Sequence, residues 1–290
     1  MHISTYLDDV VVWAPAKVNL FLEVLGKRPD GYHEIATLMT AIRLYDTLVF
    51  RADPSLRLQC SDASLSTGPE NLVLKAANLL KGRTGFPGGA AIRLFKRIPM
   101  AAGLAGGSTD AAATLAGLNF LWQTGLSNAE LAKLGGEIGS DIPFFFHTPA
   151  AWCTGRGESV SPIGLSSPLH FVLLCPAFGL STAAVYQKVV VPASPISGEP
   201  ILTAIGKGDV DIIGRLMHNR LQLAAAALDP RISEFAAMLK EAESVGCLMS
   251  GSGSTLFALC RSADEALRIA ANLRTRTKAY DFRLIVTRTV

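Results

Sequence analysis

Apolar and polar positions alternate through residues 10–25. Ala14, Ala16, Val18, Leu20, Leu22 and Val24 fall on one side, and Trp13, Lys17, Asn19 and Glu23 on the other. The spacing predicts a strand with Lys17 and Asn19 on one face. Pro29-Asp30-Gly31 is turn chemistry, so Tyr32 and His33 open the returning segment of a hairpin-like excursion. Alternation at Ile92, Leu94 and Ile98 predicts a second strand over 91–98, ended by Pro99. Residues 111–118 favour a helix, and the capping box Ser127-Asn128-Ala129-Glu130 opens another that runs to about Ile138. Further along, the pattern predicts a strand at 169–175, a helix capped by Ser181 or Thr182, helices at about 201–226 and 230–244, and a strand at 256–260. No internal repeat is present.

At roughly 150 residues per domain, a chain of 290 residues holds two modest domains or one large one. Composition shifts at Gly155-Arg156-Gly157-Glu158, ahead of the Pro/Ser-rich stretch 161–168, so the predicted domains are 1–158 and 159–290. Charged residues make up 18%, below the usual value of about 25%, so clefts and surface must draw on Gly, Ala, Ser and Thr, as enzymes do. The formal charge is +3 and no Lys/Arg run is long enough to track a phosphate backbone, which argues against a nucleic-acid partner. Asp8 and Asp9 stand where a signal peptide would carry basic residues, and no apolar stretch approaches the roughly 18 residues of a membrane span. The expectation is a soluble cytoplasmic protein without a membrane partner. Five cysteines, odd in number and without a C-x-x-C pair, read as buried free thiols. No His/Asp/Glu cluster predicts a metal site built by the protein.

The most informative stretch is PMAAGLAGGSTDAAATLAGL (99–118). Gly103, Gly106 and Gly107 make a loop in which backbone N–H groups can converge, Ser108 can cap a helix, and a helix follows. Strand, glycine loop and helix N-terminus together aim amides and positive dipole at an anion, commonly phosphate. The glycines alone fit a tight connection packed for steric reasons equally well, since the Walker signature is absent. Asp141, in Gly139-Ser140-Asp141-Ile142-Pro143 before three phenylalanines, is a carboxylate set against an apolar wall, or else a turn residue.

Three separated segments, APAKVNLFLEV (14–24), PMAAGLAGGSTDAA (99–112) and MSGSGSTLFAL (249–259), resemble in order the three motifs of the GHMP kinases, named for galactose, homoserine, mevalonate and phosphomevalonate members. The strings KVNLFLEVLGKRPDGYHEI (17–35), GSDIPFFF (139–146) and TGRGE (154–158) are similar to the branch that phosphorylates 4-diphosphocytidyl-2-C-methyl-D-erythritol in non-mevalonate isoprenoid synthesis. The resemblance implies an α+β, two-domain fold, with an amino-terminal ATP-binding domain of the ribosomal-protein-S5 domain-2-like type and a ferredoxin-like carboxy-terminal domain. It also implies transfer of the γ-phosphoryl group of ATP to the 2-hydroxyl of that substrate.

By the same resemblance the nucleotide phosphates lie on Pro99, Met100, Ala101, Ala102, Gly103, Leu104, Ala105, Gly106, Gly107, Ser108 and Thr109, with Asn71 and Lys96 lining the adenine pocket. Lys17 and Asp141 flank the attacking hydroxyl. A neighbouring ammonium keeps a carboxylate ionised and weakens it as a base. Asp141 is therefore expected mainly to orient the hydroxyl and take its proton late, while Lys17 offsets charge on the transferring group. Tyr32 and Tyr186 would stack on cytosine and His33 read its edge. Asn19 would sit near the methylerythritol hydroxyls, and Thr182 on the substrate side. The implied partners are a small molecule with a cytidine diphosphate group and ATP carrying Mg²⁺; the implied assembly is a monomer or weak homodimer. Two departures stand out. Ser108-Thr109-Asp110 replaces the usual serine pair, leaving the Thr109 hydroxyl for phosphate or Mg²⁺. NRLQ (219–222) stands where an acidic NDLE-like string is common, so a role in packing is expected and one around a metal is in doubt. The rivals are another GHMP kinase, for homoserine or mevalonate, which would not need Tyr32 and His33, and a silent kinase-like binding protein, which would lack Lys17 or Asp141.

Overall fold

The computed structural model describes residues 1–276 and 281–290. The chain forms two compact units. The first is Met1–Ala16, Leu44–Pro99 and Ala105–Thr148; the second is Lys17–Arg43, Met100–Leu104 and Pro149–Val290. Their borders do not follow the single cut expected between residues 158 and 159. The reason is two long strands, β2 (Asp9–Lys27), close to the extent alternation predicted, and β3 (His33–Asp53), for which only the opening was predicted; each contributes residues to both units.

In the first unit β1 (His2–Tyr6) pairs with the start of β2, and the end of β3 pairs antiparallel with β5 (Gly89–Phe95), which lies parallel to β4 (Leu56–Cys60). Three helices pack on one another: α1 (Leu72–Thr84), α2 (Gly106–Leu121) and α3 (Asn128–Ile138). The Ala-rich α2 is buried from Thr109 to Leu118, which its small side chains permit; a Cβ on Gly117 would lie 2.5 Å from the Phe50 ring. Ser108 does not cap this helix. The helix begins two residues earlier, after Ala105 in the left-handed region, and has no side-chain cap. The capping box of α3 is present in full, with Glu130 Oε2 accepting from Ser127 N at 2.8 Å.

In the second unit the start of β3 pairs with β6 (Ala150–Thr154), and β6 with β7 (Ser159–Ile163). A four-stranded antiparallel sheet is made by β8 (His170–Pro176), β10 (Gly246–Met249), β11 (Leu256–Cys260) and β12 (Phe282–Arg288), in the order β10-β11-β8-β12. Between β8 and β10 come α4 (Thr182–Lys188), α5 (Glu199–Lys207), α6 (Val210–Leu216), the short β9 (His218–Asn219), α7 (Leu221–Leu228) and α8 (Arg231–Lys240); α9 (Ala263–Arg276) joins β11 to β12. Strands 1 to 4 of this βαββαβ unit stand in the order 4-1-3-2, the ferredoxin-like arrangement the resemblance implied. Its core includes Leu22, Val24, Ile35, Val172, Leu221 and Phe235.

The single helix expected over 201–226 is broken into α5, α6 and α7. Gly208 takes a left-handed conformation (φ 69°) that closes α5, and Asp209 caps α6 by accepting from Ile212 N at 2.9 Å. Ser181 caps α4. All five cysteines are free; Cys153, Cys175 and Cys260 are buried as expected, whereas Cys60 and Cys247 are only partly so. None of the described helices is long and apolar enough to cross a membrane.

Candidate active site

Within the second unit the carbonyls of residues 101–104 all face inward. Ala101 O accepts from Leu180 N at 3.4 Å, Ala102 O from Thr255 N at 3.2 Å and Leu104 O from Lys17 N at 3.2 Å. Gly103 O accepts from Lys17 Nζ and Ser250 Oγ, each at 2.9 Å. Gly103 has no substitute: its φ is 74°, and a Cβ would lie 2.0 Å from Ser250 O. Positive φ at Ala101 (49°), Gly103 (74°) and Ala105 (56°) alternates along the segment. Among the described residues no acceptor is found for the N–H groups of 100–108. Backbone of alternating handedness turns successive amides to one side, a geometry suited to an anion.

At the head of α2 Thr109 and Asp110 are buried, and among the described residues Thr109 Oγ1 and Asp110 Oδ1 have no hydrogen-bond partner. Asp110 Oδ2 accepts from Lys96 Nζ at 2.7 Å, and the same ammonium is bonded to Asp46 Oδ2. Asp46 Oδ1 in turn accepts from the backbone N–H groups of Arg97 (2.5 Å) and Ile98 (2.9 Å). Lys96 thus ties the strand-side flank of the glycine loop to its helix-side flank, and its ammonium is buried between two carboxylates. Burial works against that charge, but Asp110 and Asp46 outweigh it and hold the Lys96 pKa above its ordinary value. Burial, opposed by Lys96 and reinforced by Asp46, pushes the Asp110 carboxyl up to about 7. Neither carboxylate partner is signalled locally by the sequence, because Asp46 comes from β3 and Asp110 from α2.

The predicted face of β2 is realised in the second unit. Lys17 Nζ donates to Asn19 Oδ1 at 2.6 Å, Asn19 Nδ2 donates to Thr37 Oγ1 at 2.8 Å, and Thr37 Oγ1 donates to Phe21 O at 2.6 Å. These groups are buried, so their orientations are fixed by one another. Glu23, farther along the same face, is fully buried. Burial raises its pKa, but hydrogen bonds from Arg220 and from the N–H groups of Ile196 and Val24, together with the Arg220 charge, prevail and hold it at about 2.

Tyr32 is exposed, at 54%, beneath the Arg156 guanidinium, 4.8 Å from its ring centroid. His33 stacks on Tyr186 with centroids 5.2 Å apart. Tyr186 therefore faces His33, and Arg156, which the sequence offered only at the predicted domain junction and within the TGRGE string, covers Tyr32. Burial and the nearby Lys27 charge lower the His33 pKa. Thr182 Oγ1 lies 2.8 Å from Ser252 Oγ. In the first unit Asn71 caps α1, its Oδ1 accepting from Val73 N at 2.9 Å while Nδ2 donates to Ser66 O at 2.6 Å. Asp141 is half-buried in the turn after α3, ahead of the buried Phe144 and Phe145. Its neighbour Ile142 packs so closely on Gly135 that a Cβ there would lie 2.5 Å from Ile142 Cγ2.

Residues 71–148 match the family described as GHMP kinases N terminal domain, and residues 201–279 match GHMP kinases C terminal. The chain belongs to the GHMP kinase family. As a GHMP kinase it is a phosphotransferase that uses ATP, and its α+β fold is that of the family. It is 43% identical over 284 residues to the 4-diphosphocytidyl-2-C-methyl-D-erythritol kinase of Pelotomaculum thermopropionicum, covering 97% of this chain and 98% of that protein. It is also 43% identical to the protein of the same name from Shouchella clausii, over 90% of this chain and 89% of that one. A solved structure of 4-(cytidine 5'-diphospho)-2C-methyl-D-erythritol kinase superposes with a TM-score of 0.80 at 35% identity, over 97% of this chain and 99% of the other. The homoserine kinase of Cytophaga hutchinsonii, at 18% identity and a TM-score of 0.79 over 100% and 97% of the two chains, shares the fold.

Proposed function

We propose that this GHMP kinase transfers the γ-phosphoryl group of ATP to the 2-hydroxyl of 4-diphosphocytidyl-2-C-methyl-D-erythritol, giving the 2-phosphate and ADP, as a cytoplasmic monomer or weak homodimer. The observation that carries the substrate is the aromatic set of the second unit: exposed Tyr32 under Arg156, and His33 stacked on Tyr186. A cytosine ring needs flat faces and a polar edge, and each base–aromatic stack contributes about 1–3 kcal/mol. The names of the relatives at 43% identity agree with it.

The nucleotide phosphates are read onto residues 99–109, a reading supported by the unpaired amides of 100–108 and the alternating φ signs. Thr109 Oγ1, buried and without a partner, suits a phosphate oxygen or Mg²⁺. The metal would arrive with ATP and neutralise charge on its phosphates. Asn71 and Lys96 as lining of the adenine pocket rest on the resemblance. Phosphoryl transfer has a loose transition state, so positioning and charge do most of the work. In this reading Lys17 offsets charge on the transferring group, Asp141 orients the hydroxyl and accepts its proton late, and Asn19 and Thr182 contact the acceptor. The domain limits 1–158 and 159–290 are kept as the family's two domains, supported by matches that fall on either side of them.

The test is an ADP-release assay at equal concentrations of 4-diphosphocytidyl-2-C-methyl-D-erythritol, homoserine, mevalonate and galactose. Turnover of the first alone is expected; turnover confined to one of the others overturns the substrate reading.

A further inference from the structure

Residues 218–222 read the face of β2 that carries Lys17. Phe21 and Leu22 pair with His218 and Asn219 of β9, and the Phe21 and His218 rings lie 5.5 Å apart. Arg220 N donates to Leu22 O at 2.9 Å. Its guanidinium holds both oxygens of Glu23, Nε and Nη2 each at 2.7 Å. Lys17, Asn19, Phe21 and Glu23 share that face because side chains alternate along a strand, so the segment is anchored to the strand whose ammonium is assigned to the chemistry.

The same segment grips the 249–251 turn. Asn219 Nδ2 donates to Met249 O at 2.7 Å and to Gly251 O at 2.8 Å, while its Oδ1 accepts from Leu221 N at 2.9 Å. Gln222 Oε1 accepts from Met249 N at 2.9 Å. Met249 is thus held by both its amide and its carbonyl. What this turn touches is the site. Ser250 Oγ donates to the Gly103 carbonyl that Lys17 Nζ also uses. Gly251 lies so close that a Cβ on it would be 3.2 Å from Lys17 Nζ and 3.4 Å from Asn19 Oδ1.

We infer that Asn219 and Gln222 are positioning residues for phosphoryl transfer: by fixing the 249–251 turn from the Glu23–Arg220 anchor, they set where Lys17 points. The inference rests on the role proposed for Lys17. It also accounts for the NRLQ departure, since Gln222 is needed only as an acceptor and Arg220 as the partner of Glu23, and neither task calls for a carboxylate on this segment.

The test compares Gln222→Met, nearly the same size without an acceptor, with Gln222→Glu, which keeps one, and with Asn219→Ala. A misplacement of about 1 Å can cost around 100-fold in rate. Gln222→Met is therefore expected to lower kcat by roughly 10- to 100-fold with KM for ATP changed less than about threefold, and Gln222→Glu to stay within about threefold of wild type. Asn219→Ala should be at least as impaired as Gln222→Met; its thermal melt shows whether it is folded, and the Gln222 pair carries the test if it is not. Wild-type kcat in Gln222→Met, or equal losses in Gln222→Met and Gln222→Glu, overturns the inference. Assays use whichever alcohol the wild type phosphorylates, so a wrong acceptor would overturn the substrate reading and leave this comparison intact.

Discussion

Replacing Lys96 by Met removes the cation held between Asp46 and Asp110 while nearly keeping the length of the side chain. Asp46 retains the N–H groups of Arg97 and Ile98, but Asp110 is left with no partner on either oxygen among the described residues. Breaking a buried pair in this way costs about 3–5 kcal/mol. At about 2–4 °C per kcal/mol for a chain of this size, Tm should fall by roughly 6–20 °C. The loss should depend on pH. In the wild type the folded Asp110 pKa, about 7, lies above its ordinary 3.8, so the folded state holds the proton more tightly and stability falls as pH rises from about 3.8 through 7. Without Lys96 that pKa moves higher still, and the decline continues beyond 7. Differential scanning calorimetry should therefore show a larger Tm difference at pH 8 than at pH 6. Asp110→Asn in the variant background should remove most of the pH dependence. A fall of less than about 2 °C at pH 8, or the same fall at both pH values, would refute the reasoning.

Glu23 behaves oppositely. Its folded pKa of about 2 lies below the ordinary 4.5, so its contribution, about 3 kcal/mol, is present above pH 4.5 and lost as pH falls toward 2. Urea midpoints of wild type and Glu23→Gln should differ clearly at pH 6 and by roughly half as much at pH 3, closing only toward pH 2; a gap unchanged by acid contradicts this. For Tyr32→Ala, the loss of one stack should weaken cytidine diphosphate binding by about 5- to 150-fold and abolish most of its thermal stabilisation. Calorimetric titration giving the wild-type Kd would remove Tyr32 from the base pocket.

The legible part of this molecule was local. Alternation over 10–25 exposed the Lys17–Asn19 face, and the glycines of 99–107 marked a loop for whose amides no acceptor is found among the described residues. Ser127 with Glu130 announced α3, since a capping box needs only four residues. What failed were features decided by distant partners. The run 33–53 is largely buried on both faces, so it carries no clean period, and the full length of β3 was hidden. Gly208 and Asp209 cut one apolar stretch into separate helices. Nothing near Lys96 in sequence reveals its pairing with Asp46, and Arg156 meets Tyr32 only once the chain has returned along β3 and β6. The cap position of α2 is Ala105 and not Ser108, because backbone conformation at Ala105, not a capping hydroxyl, begins that helix.

The interleaving of the two units has a practical side for anyone dissecting the protein. A fragment of residues 159–290 would lack Leu22, Val24 and Ile35, which belong to the interior of its own unit. It would also lack Lys17–Arg43 and Met100–Leu104, which no downstream segment can supply. A cut after Thr148 would leave every residue of the first unit on the amino-terminal piece, but any cut that separates the two would deprive the second unit of part of its interior, so splitting this kinase for complementation or domain exchange requires the two pieces to be expressed together.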